Sequence, residues 1–178
     1  EESLAFYEAM DAEIGKLVAL GAIVGATADH GMNAKIHEDG TPNVLFVEDL
    51  LEAQFGNHFR VICPITDPYV KHHGALGSYI VIHVDEKSII NDVKNWLMGL
   101  EGITEVYDKA TAVRILEQPA DRIGDLVVLS GRNVVVGRRP QYHDLSALDG
   151  TLRSHGGRYE EMVPMIISQP LNAVYLRK

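Results

Sequence analysis

The chain has 178 residues, 46% of them apolar and 23% charged, and a formal net charge of −9 with histidine neutral. That is enough for one ordinary core with a small subdomain, in the composition range of globular rather than disordered proteins. The acidic balance argues against nucleic acid and anionic membranes as partners, and no apolar run approaches the roughly 18 residues of a membrane span.

The elements follow in order. Residues 3–19 place Leu4, Tyr7, Met10, Ile14, Leu17 and Val18 at three-and-four spacing, which predicts an amphipathic helix with Ser3 as N-cap and Gly21 as its stop. Residues 22–26 are a continuous apolar run, the pattern of a strand buried on both faces of a parallel sheet. Residues 33–42 read as a polar loop with a turn at residues 39–42. Residues 43–47 suit a short strand or the start of a helix, 48–55 a helix ending at Gly56, and 59–63 a strand closed by Pro64. Residues 66–77 form a loop rich in Pro, Gly and His. A strand (78–84), a helix (88–100), a strand (103–107) and a short helix (109–116) then make a compact α+β unit. Residues 125–129 and 133–136 read as a hairpin around Ser130-Gly131-Arg132, followed by a loop at 138–150. Residues 162–167 form a last strand, which Pro164 confines to an edge or to its own first residues.

Cys63 is the single cysteine, so no intrachain disulfide forms. With no recognisable signal peptide, a reducing, cytoplasmic setting is expected. The chain opens without methionine, directly on a helical pattern, which reads as part of something longer.

Two stretches carry chemistry. The first is Ala28-Asp29-His30-Gly31, at the end of the 22–26 run. In parallel sheets, function gathers beyond the carboxyl ends of the strands. There the strict alternation of side chains lapses and Gly31 lets the backbone turn, so a carboxylate and an imidazole can converge on one metal ion, a donor mix that suits zinc. The second is Arg153-Ser154-His155-Gly156-Gly157, about 125 residues later and ahead of Glu160-Glu161-Met162-Val163-Pro164. Taken singly, Asp29 also suits a turn cap and His155 a loop histidine.

Together the two stretches resemble the alkaline phosphatase superfamily of two-metal phosphoryl- and sulfuryl-transfer enzymes. Ala28-Asp29-His30-Gly31-Met32-Asn33-Ala34-Lys35, Gly124-Asp125-Leu126-Val127-Val128 and the His155 loop narrow the likeness to the phosphonoacetate hydrolases, over the C-terminal part of a family length roughly twice this one. The resemblance implies an α/β fold of the alkaline phosphatase type: a mostly parallel sheet flanked by helices, with a small α+β cap and the N-terminal half of the fold absent. Residues 1–65 and 121–178 would be the metal-binding core and 66–120 the cap. It implies zinc-dependent hydrolysis of the C–P bond of phosphonoacetate to acetate and phosphate, with Asp29 and His30 on one zinc and His155 on the second. Mn2+ or Fe2+ would also accept such ligands. The family's nucleophilic threonine, N-terminal aspartate ligand, substrate-holding lysines and a further D-x-x-x-H pair belong upstream. Thr27, inside the strand, does not replace the nucleophile, so the chain alone is expected to be inactive. The expected partners are a small anionic phosphonate and the missing N-terminal half, and a homodimer stays open. A phosphodiesterase or nucleotide pyrophosphatase of the same superfamily, and a non-catalytic binding module, are the alternatives.

The remaining candidates read more plainly. His72 and His73 suit a solvated loop or the substrate entrance. His37, His58, His83 and His143 suit surface or structural roles, Cys63 a small core hydrophobe, Trp96 a core residue and Arg138 and Arg139 an exposed basic pair. Ser130-Gly131-Arg132 is no phosphate loop, because no helix follows it.

Overall fold

The computed structural model describes residues 2–66, 75–146, 148 and 151–174. In chain order the elements are α1 (Glu2–Ala19), β1 (Gly25–Thr27), β2 (Asn33–Ala34), β3 (Val44–Phe46), α2 (Val47–Phe55), β4 (Phe59–Ile62), β5 (Tyr79–Val84), α3 (Ile90–Met98), β6 (Ile103–Asp108), α4 (Lys109–Leu116), β7 (Leu126–Ser130), β8 (Val135–Gly137), β9 (Arg153–Ser154) and β10 (Met165–Ile167). They fall into two units, Glu1–Asp29 with Met162–Lys178, and His30–Glu161.

The larger unit is organised by a four-stranded antiparallel sheet in the order β4-β5-β7-β6. Alternation along its two central strands explains the core. Ile80, Ile82 and Val84 of β5, with Leu126 and Val128 of β7, join Leu51 of α2 and Val93 and Leu97 of α3 in one cluster. The intervening Val81, Val127 and Leu129 join Ala112 of α4 and Ile123 in another. Both faces are therefore covered, and each fully buried aliphatic side chain contributes roughly 1.5–3 kcal/mol. Trp96 packs edge-on against Phe55, with ring centroids 5.6 Å apart, and belongs to the first cluster as expected. Asp108 starts α4 as its N-cap, accepting the Thr111 N–H at 2.9 Å. The stretch expected as a cap thus supplies β5, α3, β6 and α4, and its strands share one sheet with β4 and β7.

The parallel pairing expected of the fold is confined, among the described residues, to β3 with β8. The predicted hairpin between 125–129 and 133–136 does not form. β7 already pairs with β5 on one edge and β6 on the other, so β8 turns away at Gly131 and pairs with β3. The result keeps Ser130-Gly131-Arg132 between two strands, with no helix to cradle a phosphate.

The smaller unit departs further from expectation. α1 occupies the predicted residues and stops where Gly21 adopts φ +88°. Yet no residue of α1 is buried. The 22–26 run, expected as a doubly covered parallel strand, is shorter and exposed. β1 pairs antiparallel with β10, and Ile23 is 70% exposed. β10 pairs with one edge of β1, and among the described residues the side chains of β1 are left largely exposed. β10 begins just after Pro164, as that proline requires. Among the described residues no helix is long and apolar enough to cross a membrane.

Candidate metal centre

His30 lies three residues beyond β1 and three before β2, and His155 directly follows β9. β2 and β9 pair antiparallel, Asn33 opposite Ser154 and Ala34 opposite Arg153, and the Lys35 N–H extends the ladder to the Leu152 carbonyl at 2.8 Å. This register brings both histidines to the same end of the ladder. Their rings stack with centroids 3.7 Å apart and planes 8° from parallel. Both are half-buried.

The tautomer of His30 follows from its partner. Nδ1 lies 2.8 Å from the Gly31 carbonyl oxygen, which can only accept, so Nδ1 carries the proton. An Nδ1–H to carbonyl bond is a usual way of orienting a metal-binding imidazole, which would bind through Nε2. Gly31 adopts no left-handed backbone; its contribution is an N–H donated to the Glu160 carbonyl at 2.7 Å. Asp29 precedes His30 directly and is exposed. Among the described residues, no three His, Cys, Asp or Glu side chains gather closely enough to hold a metal by themselves. The donor set fits a metal as part of a larger one.

The His155 loop is shaped by glycine. Gly156 adopts φ +99°, and a Cβ there would lie 2.7 Å from Ile65 Cγ1. At Gly157 a Cβ would meet Ser78 Cβ at 2.8 Å. Ser154 Oγ donates to the Leu76 carbonyl at 2.6 Å, and the Ser78 N–H donates to the His155 carbonyl at 2.9 Å.

Beneath both loops lies an ion pair that sequence reasoning gave no role. Lys35 Nζ and Glu160 Oε1 are 3.0 Å apart, and their side chains are 0% and 1% exposed. Lys35 also donates to Ser78 Oγ (2.7 Å) and the Arg132 carbonyl (2.8 Å), which uses all three ammonium protons. Burial raises the Glu160 carboxyl, but hydrogen bonds from Asn33, Lys35 and the Gly157 N–H together hold it below the usual range. Burial pulls Lys35 down from its ordinary value. Lys35 and Glu160 both stand inside the quoted stretches, but no local pattern there signals their burial.

His143 is buried, and its Nε2 accepts the Arg138 N–H at 2.9 Å. His37 is exposed, and His58 and His83 are half-buried. Burial pushes the Cys63 thiol up to about 11, which suits a core residue and not a nucleophile. Arg138 and Arg139 are not a freely exposed pair. Arg138 binds Glu48 at 2.8 Å and stacks 4.5 Å over the Tyr142 ring, and Arg139 pairs with Asp49 and Glu52. The acidic face of α2 recruits them. His72 and His73 lie outside the described residues.

No protein-family model matches the sequence. Solved structures do. A phosphonoacetate hydrolase from Sinorhizobium meliloti 1021, in complex with phosphonoformate, is 43% identical over 95% of this chain, with a TM-score of 0.85. The chain carries part of an alkaline phosphatase-like fold and resembles phosphonoacetate hydrolase. The same enzyme in complex with phosphonoacetate matches at 43% identity and a TM-score of 0.84. In both cases the chain spans 42% of the enzyme's length. Murine ectonucleotide pyrophosphatase / phosphodiesterase 5 matches at 17% identity over 90% of this chain and 39% of its own, with a TM-score of 0.55, a likeness of fold alone.

Proposed function

We propose that this chain is the C-terminal part of a zinc-dependent phosphonoacetate hydrolase, in which Asp29 and His30 bind one metal and His155 the other. The observation that carries the reading is the convergence of His30 and His155, in a chain 43% identical to that enzyme. When bound, two zinc ions would clamp the phosphonate oxygens and neutralise the charge that builds on phosphorus during in-line displacement. The chain's own contribution is to present ligands. The Gly31 carbonyl keeps the His30 proton on Nδ1, which would leave Nε2 to the metal, and the turn at Gly156, whose φ of +99° suits glycine, shapes the backbone after His155. The remaining ligands and the threonine nucleophile would come from the rest of the protein, so this chain alone is inactive. Its exposed apolar residues support such a complement: Phe6 is 62% exposed, Leu20 84% and Ile166 64%.

The test is metal content and phosphate release from phosphonoacetate, beside hydrolysis of bis(p-nitrophenyl) phosphate, for this chain and for the longer gene product. About two zinc ions and phosphonoacetate cleavage in the long form alone are expected. Preference for the diester would shift the substrate to the phosphodiesterase class, and absence of metal from both forms would leave a binding module. Loss of zinc in Asp29→Ala/His30→Ala and in His155→Ala assigns the ligands; retention in both removes them.

A further inference from the structure

A salt bridge sealed from water is an uncommon thing to retain in a core. Desolvating two charges is expensive, and apolar residues of similar volume often serve stability as well or better. What Lys35 and Glu160 touch suggests why they are retained. The Glu160 carbonyl accepts the N–H of Gly31, the residue after His30. Its Oε2 accepts the N–H of Gly157 at 2.9 Å, two residues after His155. Its Oε1 accepts Asn33 Nδ2 at 2.6 Å and Lys35 Nζ at 3.0 Å. Lys35 reaches in turn to Ser78, whose N–H holds the His155 carbonyl. Glu160 therefore grips the Gly31 N–H beside His30 through its backbone carbonyl, and ties the His155 loop to Asn33 through its carboxylate, which Lys35 fixes. A side chain on Gly157 would crowd both Ser78 and Glu160 Oε2, so the loop is built to let the carboxylate approach its N–H.

We infer that Glu160, anchored by Lys35, is a positioning residue that holds His30 and His155 in their stacked arrangement and so sets the metal affinity of the site. The geometric half stands on the hydrogen bonds alone; the consequence for metal rests on the proposed function above. The carboxylate is needed because every group facing it is a donor: an ammonium, an amide NH2 and a backbone N–H. A neutral amide in its place sets one N–H against another in either orientation.

The experiment uses the longer gene product with Lys35→Met/Glu160→Gln, which removes both charges while keeping the volume. Asn33→Ala is a milder variant that removes one donor to the carboxylate. Val128→Ala, in the sheet and away from both loops, calibrates the effect of lost stability alone. The first readout is the chemical shift of the His30 and His155 ring protons in metal-free protein, because stacked rings shield each other. The second is zinc affinity by competition with a chelator. The double variant is expected to lose the ring shielding and about 10–100-fold in zinc affinity. Asn33→Ala should move both readouts the same way by less, and Val128→Ala should move neither in the folded fraction. Lost shielding in a protein whose wild type binds no zinc would support positioning and overturn the metal reading. Unchanged shielding in the folded double variant, or in folded Asn33→Ala should the double variant not fold, would overturn the positioning role.

Discussion

α1 and α3 both carry apolar residues at three-and-four spacing, and the protein uses them differently. α3 is nine residues long and buries Val93 and Leu97 completely against the sheet. α1 has 18 residues, a recognisable apolar spacing and no buried residue. The contrast extends to strands: all five residues of β7 are buried, whereas β1 and β10 are largely exposed. An apolar pattern records that a face requires cover. It does not say which part of a protein supplies it.

Hydrogen exchange offers the largest test of this contrast. Amides of β5 and β7 should exchange only through global unfolding, on the order of 5–15 kcal/mol, while those of α1 exchange through local opening close to zero. Equal protection in the two regions would break the comparison. Mutation sharpens it. Leu97→Ala should cost about 2–5 kcal/mol by urea denaturation, and Leu17→Ala in this chain no more than about 0.5 kcal/mol. In the longer protein the cost of Leu17→Ala should rise toward that of Leu97→Ala, and failure to rise would mean that α1 stays uncovered there.

The smallest effect concerns α4. The Lys94 ammonium, with the Thr111 N–H, holds the Asp108 carboxyl well below the usual carboxylate range. A carboxyl whose pKa is lowered on folding stabilises the protein above its unfolded value of about 3.9, and that contribution is lost as pH falls toward the folded value. Asp108→Ala should therefore cost roughly 0.5–2 kcal/mol at pH 7. The gap between wild type and variant in denaturation midpoint should narrow on acidification, and a gap independent of pH would deny the charge a part.

Much of this was legible locally. The helices at 48–55, 88–100 and 109–116 and the strands at 59–63, 78–84 and 103–107 follow from period and punctuation, because covered faces and glycine stops act over a few residues. The strands at 125–129 and 133–136 form, but they do not pair with each other. Their hairpin fails because both edges of β7 were taken by strands distant in sequence. Lys35 was the least legible residue. A lysine beside a polar loop reads as solvated, and only the arrival of Glu160, 125 residues away, makes its burial tolerable.

Short motifs are enough to carry the residue types at the candidate site, the apolar faces and the family likeness. Only the tertiary fold made His30 and His155 stack, joined β8 to β3, and let one buried glutamate hold both histidine loops, one through its backbone carbonyl and the other through its carboxylate. Each depends on strand register and chain crossing between distant segments, which local periodicity does not encode.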